Sequence, residues 1–202
     1  MKITAIKQQV KNPNRYSIFI DDKYSFSLSD LALIDSKLAV GDELKQDELI
    51  SHKNRADTDK LYNNCLNYIA RRMRSKWEIE NYLSRKKASP TLINEIVNKL
   101  SIKGLIDDGQ FASRFVADRN LLKPTSRRKL ILELRSKKIS ESIINDVLKA
   151  DQDAELDNLR RVIDSKRRQT KYQDNNKLMQ YLAGQGFNYG DIKAVLEELD
   201  EV

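Results

Sequence analysis

Residues 75–100 read SKWEIENYLSRKKASPTLINEIVNKL, and two helices can be read straight from that string. Ser75 and Glu78 stand three apart ahead of an apolar run, the capping-box arrangement in which each side chain takes up the other's orphan N–H. Ile79 and Leu83 then recur at helical spacing over 75–86. A second helix opens at Ser89-Pro90, with a hydroxyl to accept from its first turn and proline at the first helical position, where the missing N–H costs nothing. It continues through Ile93, Val97 and Leu100.

Working outward, the same pattern returns twice. Leu83, Leu134 and Leu182 fall in phase with steps of 51 and 48 residues, and Ile79, Leu130 and Leu178 keep those steps. Ile93, Ile144 and Ile192 follow, then Val97, Leu148 and Leu196. Between them Ser89, Ser140 and Asn188 occupy one equivalent position, just ahead of an apolar-periodic run, as N-caps do. A third amphipathic run precedes each pair: Leu61/Cys65/Leu66/Ile69, Phe111/Phe115/Val116 and Leu156/Leu159/Val162/Ile163. The unit is a three-helix bundle used three times. Its period differs from the roughly 34 residues of tetratricopeptide repeats.

Residues 1–28 have a different period. Tyr16, Ile18 and Ile20 alternate with Ser17 and Phe19, Asp21-Asp22-Lys23 breaks the run, and Tyr24, Phe26 and Leu28 resume it, which reads as a hairpin. Ile3 to Val10 supplies a third strand, because a lone hairpin is rarely stable in water. Leu31–Ile34 and Leu44–Ile50 are expected as short helices around Gly41, and polar 51–59 as a linker. The fold expected is thus mostly α: three tandem three-helix repeats in a curved helical array, preceded by a small β-hairpin or β-meander domain. The divisions are 1–56, 57–104, 105–150 and 151–202.

Composition narrows the chemistry. The 202 residues hold six Gly and three Pro, well under the roughly 12% usual in globular chains, which suits long helices. With only Cys65 and His52, no Cys/His zinc site and no disulfide within one chain can be assembled, and a Cys-His nucleophilic pair is poorly supported. The six glycines form no phosphate cradle. Asp107-Asp108 ahead of Phe111 makes a better helix cap than half a two-metal site. The tail 197–201 reads as a solvated helix end. No catalytic residue, metal or cofactor is expected. No apolar run approaches the roughly 18 residues of a membrane span, and a cytoplasmic monomer is expected.

Charge is the remaining signal. The net is +7, but by segment it is +1 over 1–55, −1 over 56–70, +11 over 71–138 and −4 over 139–202. The excess lies in Arg71, Arg72, Arg74 and Lys76; Arg85, Lys86 and Lys87; Arg127, Arg128 and Lys129; and Arg135, Lys137 and Lys138. Two of these clusters sit at helix C-termini, where cations also complement the dipole. A net of +11 over 68 residues exceeds what capping requires and attracts a polyanion or an acidic protein surface. Trp77, within the basic run, reads equally as core or as a stacking platform for a base. These fourteen residues are the candidate binding set.

Three motifs then carry a resemblance. They are Tyr62-x-x-Cys65-Leu66-x-Tyr68-Ile69-x-x-Arg72-x-Arg74-Ser75-x-x-Glu78-Ile79-x-x-Tyr82-Leu83, Gly104-Leu105-Ile106-Asp107-Asp108-x-x-Phe111-Ala112, and Gly186-Phe187-Asn188-Tyr189-x-Asp191-Ile192. In that order, on a threefold repeat, they resemble the RecX family of bacterial recombination regulators over nearly the whole chain. The resemblance implies a helical-repeat protein lying in the groove of the RecA filament on single-stranded DNA. It also implies inhibition of ATP hydrolysis and strand exchange by RecA, and filament disassembly. Family members commonly carry glycine after Lys123 and before Ile139, where this chain has Pro124 and Lys138. Pro124 still makes a loop, whereas Lys138 leaves the helix-end geometry open, since glycine tolerates the left-handed conformation better. Two other readings stay open: a repeat protein that binds single strands without RecA, and a scaffold whose basic face docks an acidic partner.

Overall fold

In the computed structural model, which describes residues 1–150 and 154–200, the alternating N-terminal stretches pair as an antiparallel meander. Its strands are β1 (Ile3–Gln8), β2 (Arg15–Ile20) and β3 (Lys23–Ser29), in that order across the sheet. Asp21 and Asp22 form the β2–β3 turn, both at positive φ (46° and 62°), as a two-residue hairpin between right-twisted strands requires. Ile18 pairs with Phe26 and Tyr16 with Leu28. Ile18, Ile20, Phe26 and Leu28 are thereby buried together with Ile3 of β1. Helix α1 (Asp30–Ser36) starts at Ser29, whose hydroxyl accepts from Ala32 N–H.

One expectation is corrected in the next stretch. Residues 44–50 are not a separate short helix and 51–59 are not a linker: α2 runs unbroken as Gln46–Ala70, so the division expected at 56 falls inside a helix. No glycine or proline interrupts these 25 residues, and their polar side chains have partners that composition alone does not reveal. Asp59 accepts from Ser29 N–H (2.9 Å), the Ser29 hydroxyl (2.5 Å) and Arg15 Nη1 (3.1 Å), tying α2 to the end of β3. Leu49 and Ala56 of the same helix join the sheet's core.

The remaining helices are α3 (Lys76–Arg85), α4 (Pro90–Ile102), α5 (Asp108–Leu122), α6 (Arg127–Ser136), α7 (Glu141–Lys149), α8 (Ala154–Arg167), α9 (Asn175–Gly184) and α10 (Tyr189–Asp200), with a short 3-10 turn at Thr170–Tyr172. Residues 151–153, where the third repeat is expected to begin, and residue 201 of the acidic tail lie outside the described residues. The phased positions are core except for Ile93, which is half-buried, whereas its equivalents Ile144 and Ile192 are fully buried. Leu83, Leu134 and Leu182 are fully buried, as are Ile79 and Leu178, and Leu130, Val97, Leu148 and Leu196 are nearly so. The expected caps form: Ser89, Ser140 and Asn188 accept from Leu92, Ile143 and Gly190 N–H.

Each repeat also turns the corner between its last two helices in the same way. Lys87, Lys138 and Gly186, again 51 and 48 residues apart, all take left-handed backbone (φ 61°, 58° and 94°). The next N–H, of Ala88, Ile139 and Phe187, donates to the carbonyl of Leu83, Leu134 and Leu182. This is the Schellman closure of a helix C-terminus. Lys138 therefore adopts the geometry glycine prefers, and Lys87 does likewise.

The chain divides into two compact units, Met1–Met73 with Ile79–Ile102, and Arg74–Glu78 with Lys103–Val202. Within the second, one set of contacts occurs twice. Ser75 and Ser126, the caps of α3 and α6, donate their hydroxyls to the carbonyls of Lys137 (3.3 Å) and Gln185 (2.6 Å). The first helical N–H groups, of Lys76 and Arg127, donate to Asp108 (2.8 Å) and Glu155 (2.7 Å). Three residues into each helix, Glu78 pairs with Lys137 Nζ (2.8 Å) and Lys129 Nζ donates to Gln185 Oε1 (2.9 Å). Each helix start is thus held by the residue just before the left-handed turn of the following repeat.

Candidate functional site

The cations of the first unit cluster about helix ends. Arg71 caps α2 at its C-terminus, and Arg85, Lys86 and Lys87 end α3; all four are exposed. Arg72 is exposed and its guanidinium donates to Met73 O at 2.9 Å. Between the two helices Tyr68 and Tyr82 stack with ring centroids 4.5 Å apart, and Lys86 Nζ lies 5.8 Å from the Tyr82 ring. Burial pushes the Tyr82 hydroxyl above its ordinary pKa, and Cys65 and Tyr68 add to this while Arg71 opposes it. Cys65 is fully buried and its thiol is pushed up to about 11. It is a core residue without thiolate character.

The second unit separates cations that composition treats alike. Lys137 is committed to the buried Glu78, and Arg135 grips exposed Glu141 through two bonds of 2.7 and 2.9 Å, which hold the Glu141 carboxyl below its usual range. Lys129 is engaged with Gln185. Arg127 is half-buried, and its backbone N–H is spent on Glu155. Arg74 and Trp77 are half-buried near the start of α3. Lys76, Arg128 and Lys138 are exposed with no carboxylate partner among the described residues. Of the fourteen candidates, Arg71, Lys76, Arg85, Lys86, Lys87, Arg128 and Lys138 are exposed with no carboxylate partner among the described residues, at the two left-handed turns, the α2 end and the starts of α3 and α6.

The paired carboxylates are absorbed by helix starts. Asp107 accepts from Gln110 N–H at 2.9 Å as the cap of α5, and Asp108 accepts from Lys76 N–H. No described helix is long and apolar enough to cross a membrane.

A cleft of about 240 Å³ in the second unit was not anticipated. It lies among the α5–α6 loop, α8 and α9, and its lining includes Lys123, Lys129, Arg161 and Lys166 but no carboxylate. Arg161 and Lys166 were overlooked because residues 139–202 are acidic in sum. The available signal was local: Arg161 and Ser165 stand four apart on α8 and so share a face.

Comparison with known proteins follows the same architecture. Residues 1–45 match the family model described as the regulatory protein RecX N-terminal domain, and 62–100, 107–148 and 153–196 match the first, second and third RecX three-helix domains. Regulatory protein RecX of Oceanobacillus iheyensis is 32% identical over 210 residues, covering 98% of this chain and 77% of that protein. That of Bacillus subtilis is 28% identical over 203 residues, with the same coverage. Among solved structures, one described as the crystal structure of regulatory protein RecX aligns with a TM-score of 0.72 at 25% identity, over 97% of this chain and 98% of the other. RecX from Lactobacillus salivarius aligns at 0.63 and 27% identity, over 72% of this chain and 98% of that one.

Proposed function

The chain belongs to the RecX family of regulatory proteins, and from that premise we propose that it binds the RecA filament on single-stranded DNA and inhibits its ATPase and strand-exchange activities without chemistry of its own. The observation that carries this reading is the pair of lysines at the helix turns. Lys87 and Lys138 occupy left-handed backbone at φ 61° and 58°, a conformation that costs a residue with a Cβ about 1 kcal/mol. The equivalent third position is Gly186. Both lysines are exposed and add nothing to the core. A strained, solvent-facing cation makes sense where its charge meets a partner. Arg71, Arg72, Arg74, Lys76, Trp77, Arg85, Lys86 and Lys87, with Arg127, Arg128, Lys129, Arg135, Lys137 and Lys138, are the proposed contact set, the exposed members other than Arg135 touching partner directly and Lys137 and Arg135, held by Glu78 and Glu141, supporting the helix ends.

Inhibition then needs only differential binding. A ligand that prefers one conformation of the filament's subunits slows a cycle that must pass through another. The role is that of a monomer acting in the cytoplasm. The test is single-strand-dependent ATP hydrolysis by RecA as the protein is titrated in, with binding to bare DNA followed at the same salt. Inhibition well below the concentration that coats free DNA supports the proposal, and charge reversal at Lys87 and Lys138 is expected to weaken it. Inhibition only at coating concentrations makes the protein a competitor for single strands. No inhibition leaves a docking scaffold.

A further inference from the structure

We propose that the cleft among the α5–α6 loop, α8 and α9 seats a backbone phosphate of a nucleic-acid strand, held by Lys123, Arg161 and Lys166. The proposal rests on the reading that this protein works on DNA-bound filament, but Lys123, Arg161 and Lys166 are not among the fourteen contact residues of that reading.

The argument starts from charge balance. Elsewhere in this unit several cations find carboxylates: Arg119 pairs with Glu133 at 2.8 Å, Arg135 with Glu141, Lys137 with Glu78 and Arg160 with Glu198 at 3.0 Å. At the cleft none does. Arg161 donates to the carbonyls of Asn120 and Leu121, and Lys129 to the Gln185 amide oxygen. Lys166 Nζ lies over the faces of Tyr172 and Tyr181, 5.5 and 4.8 Å from the ring centroids. These partners orient the cations while leaving their charge whole. Four like charges around one concavity repel one another, and the field they focus favours an anion that enters.

Donor supply suits an oxyanion, and size and continuity of charge point to a backbone phosphate. A guanidinium carries five N–H donors and an ammonium three, so Arg161 and Lys129 keep several to spare. Ser165 and Tyr181 also line the cleft, and neither hydroxyl makes a hydrogen bond among the described residues. The two unesterified oxygens of a backbone phosphate can accept several such charge-assisted bonds. At about 240 Å³ the cleft falls below the roughly 300 Å³ at which drug-sized ligands begin to be enclosed, which suits one phosphate with its sugar passing by. Exposed Arg128 stands beside Gly186, next to the Gln185 and Phe187 of the lining. Positive charge thus continues beyond the cleft, as a strand requires and an isolated ion does not.

The experiment is fluorescence anisotropy of a labelled oligothymidylate with the full chain over a salt series, repeated with R161Q/K166Q and with K123E, each checked by thermal unfolding. K123E lies at an exposed loop position, so it keeps the test alive if the double variant fails to fold. The expected result is an affinity about tenfold weaker, the loss of one or more charge-assisted bonds. The slope of log K against log salt should also be shallower by about 0.7 for each phosphate that is no longer neutralised. Millimolar inorganic phosphate should compete. Unchanged affinity and slope in folded variants would overturn the proposal, as would a wild-type chain that binds a glutamate-rich peptide here in preference to the oligonucleotide. RecA ATPase assays on the same variants separate the two readings. A cleft variant that binds the oligonucleotide as wild type does, beside a wild type that inhibits RecA, sinks only the cleft. A wild type that never inhibits RecA sinks only the filament reading.

Discussion

The Ser126 hydroxyl and the Gln185 carbonyl, 59 residues apart in sequence, are joined by a 2.6 Å hydrogen bond, and the same Ser126 oxygen accepts from Lys129 N–H at 3.3 Å. One buried side chain thus caps the start of α6 and fastens it to the end of α9. Ser75 and Lys137 repeat the relationship one repeat earlier, at 3.3 Å.

The closeness of this join predicts a coupled pair of substitutions. A Cβ on Gly186 would stand 2.8 Å from Ser126 Oγ, and the residue sits at φ 94°, so Gly186→Ala is expected to cost about 2 kcal/mol through strain and collision together. Ser126→Ala removes a cap and a buried bond and should cost about 1 to 2 kcal/mol. In the double variant the colliding oxygen is gone, so the two losses should sum to less than their separate values. Urea denaturation of the four proteins measures the coupling, and strict additivity would show that the two positions do not meet.

Glycine at the strained turns should act in the opposite direction. Lys138→Gly and Lys87→Gly each relieve left-handed backbone and are expected to stabilise by about 0.5 to 1 kcal/mol, after the extra freedom glycine gives the unfolded chain is deducted. Both should weaken filament inhibition if the lysines touch the partner. Denaturant midpoints and RecA ATPase titrations on the same proteins check the trade. A variant that is more stable and equally inhibitory would remove that lysine from the contact set.

Glu155 gives a pH dependence with a definite sign. Burial raises its carboxyl above the ordinary 4.5, and nearby Asp191 adds to this, while the Arg127 N–H bond and charge offset only part. A carboxyl raised in the folded state contributes stability that is full below its unfolded pKa and is lost as pH rises through the folded value. Glu155→Gln keeps an acceptor for Arg127 N–H but carries no charge. Its melting temperature should match or trail the parent's near pH 4 and overtake it by pH 7, both round values set by ordinary carboxyl titration. A difference independent of pH would mean that Glu155 is not desolvated.

Much of the fold was legible because apolar period is a property of the chain. Ile79, Leu83, Leu130, Leu134, Leu178 and Leu182 announce a threefold repeat by spacing, and each is buried. The polar stretch 51–59 misled for a related reason. Composition reports how polar a segment is but not that Asp59 meets Ser29 and Arg15 from elsewhere in the chain, which is what lets the segment continue as helix. The candidate site divides in the same way. Arg135, Lys137 and Lys138 look alike as a basic run, yet Glu141 and Glu78 occupy the first two and leave the third facing water.

The sequence by itself determined the helix phases, the caps at Ser75, Ser89 and Ser140, the N-terminal meander and the concentration of positive charge in 71–138, because each depends on neighbours within a few residues. Only the tertiary structure decided which cations keep their charge uncompensated and that Lys123, Arg161 and Lys166 share one cleft. Those outcomes rest on which groups come within hydrogen-bonding distance across dozens of residues. Hydrogen bonds are lost beyond about 3.5 Å and ion pairing weakens over the roughly 8–10 Å Debye length, so a charge count says how many cations are present while the fold alone says what each one meets.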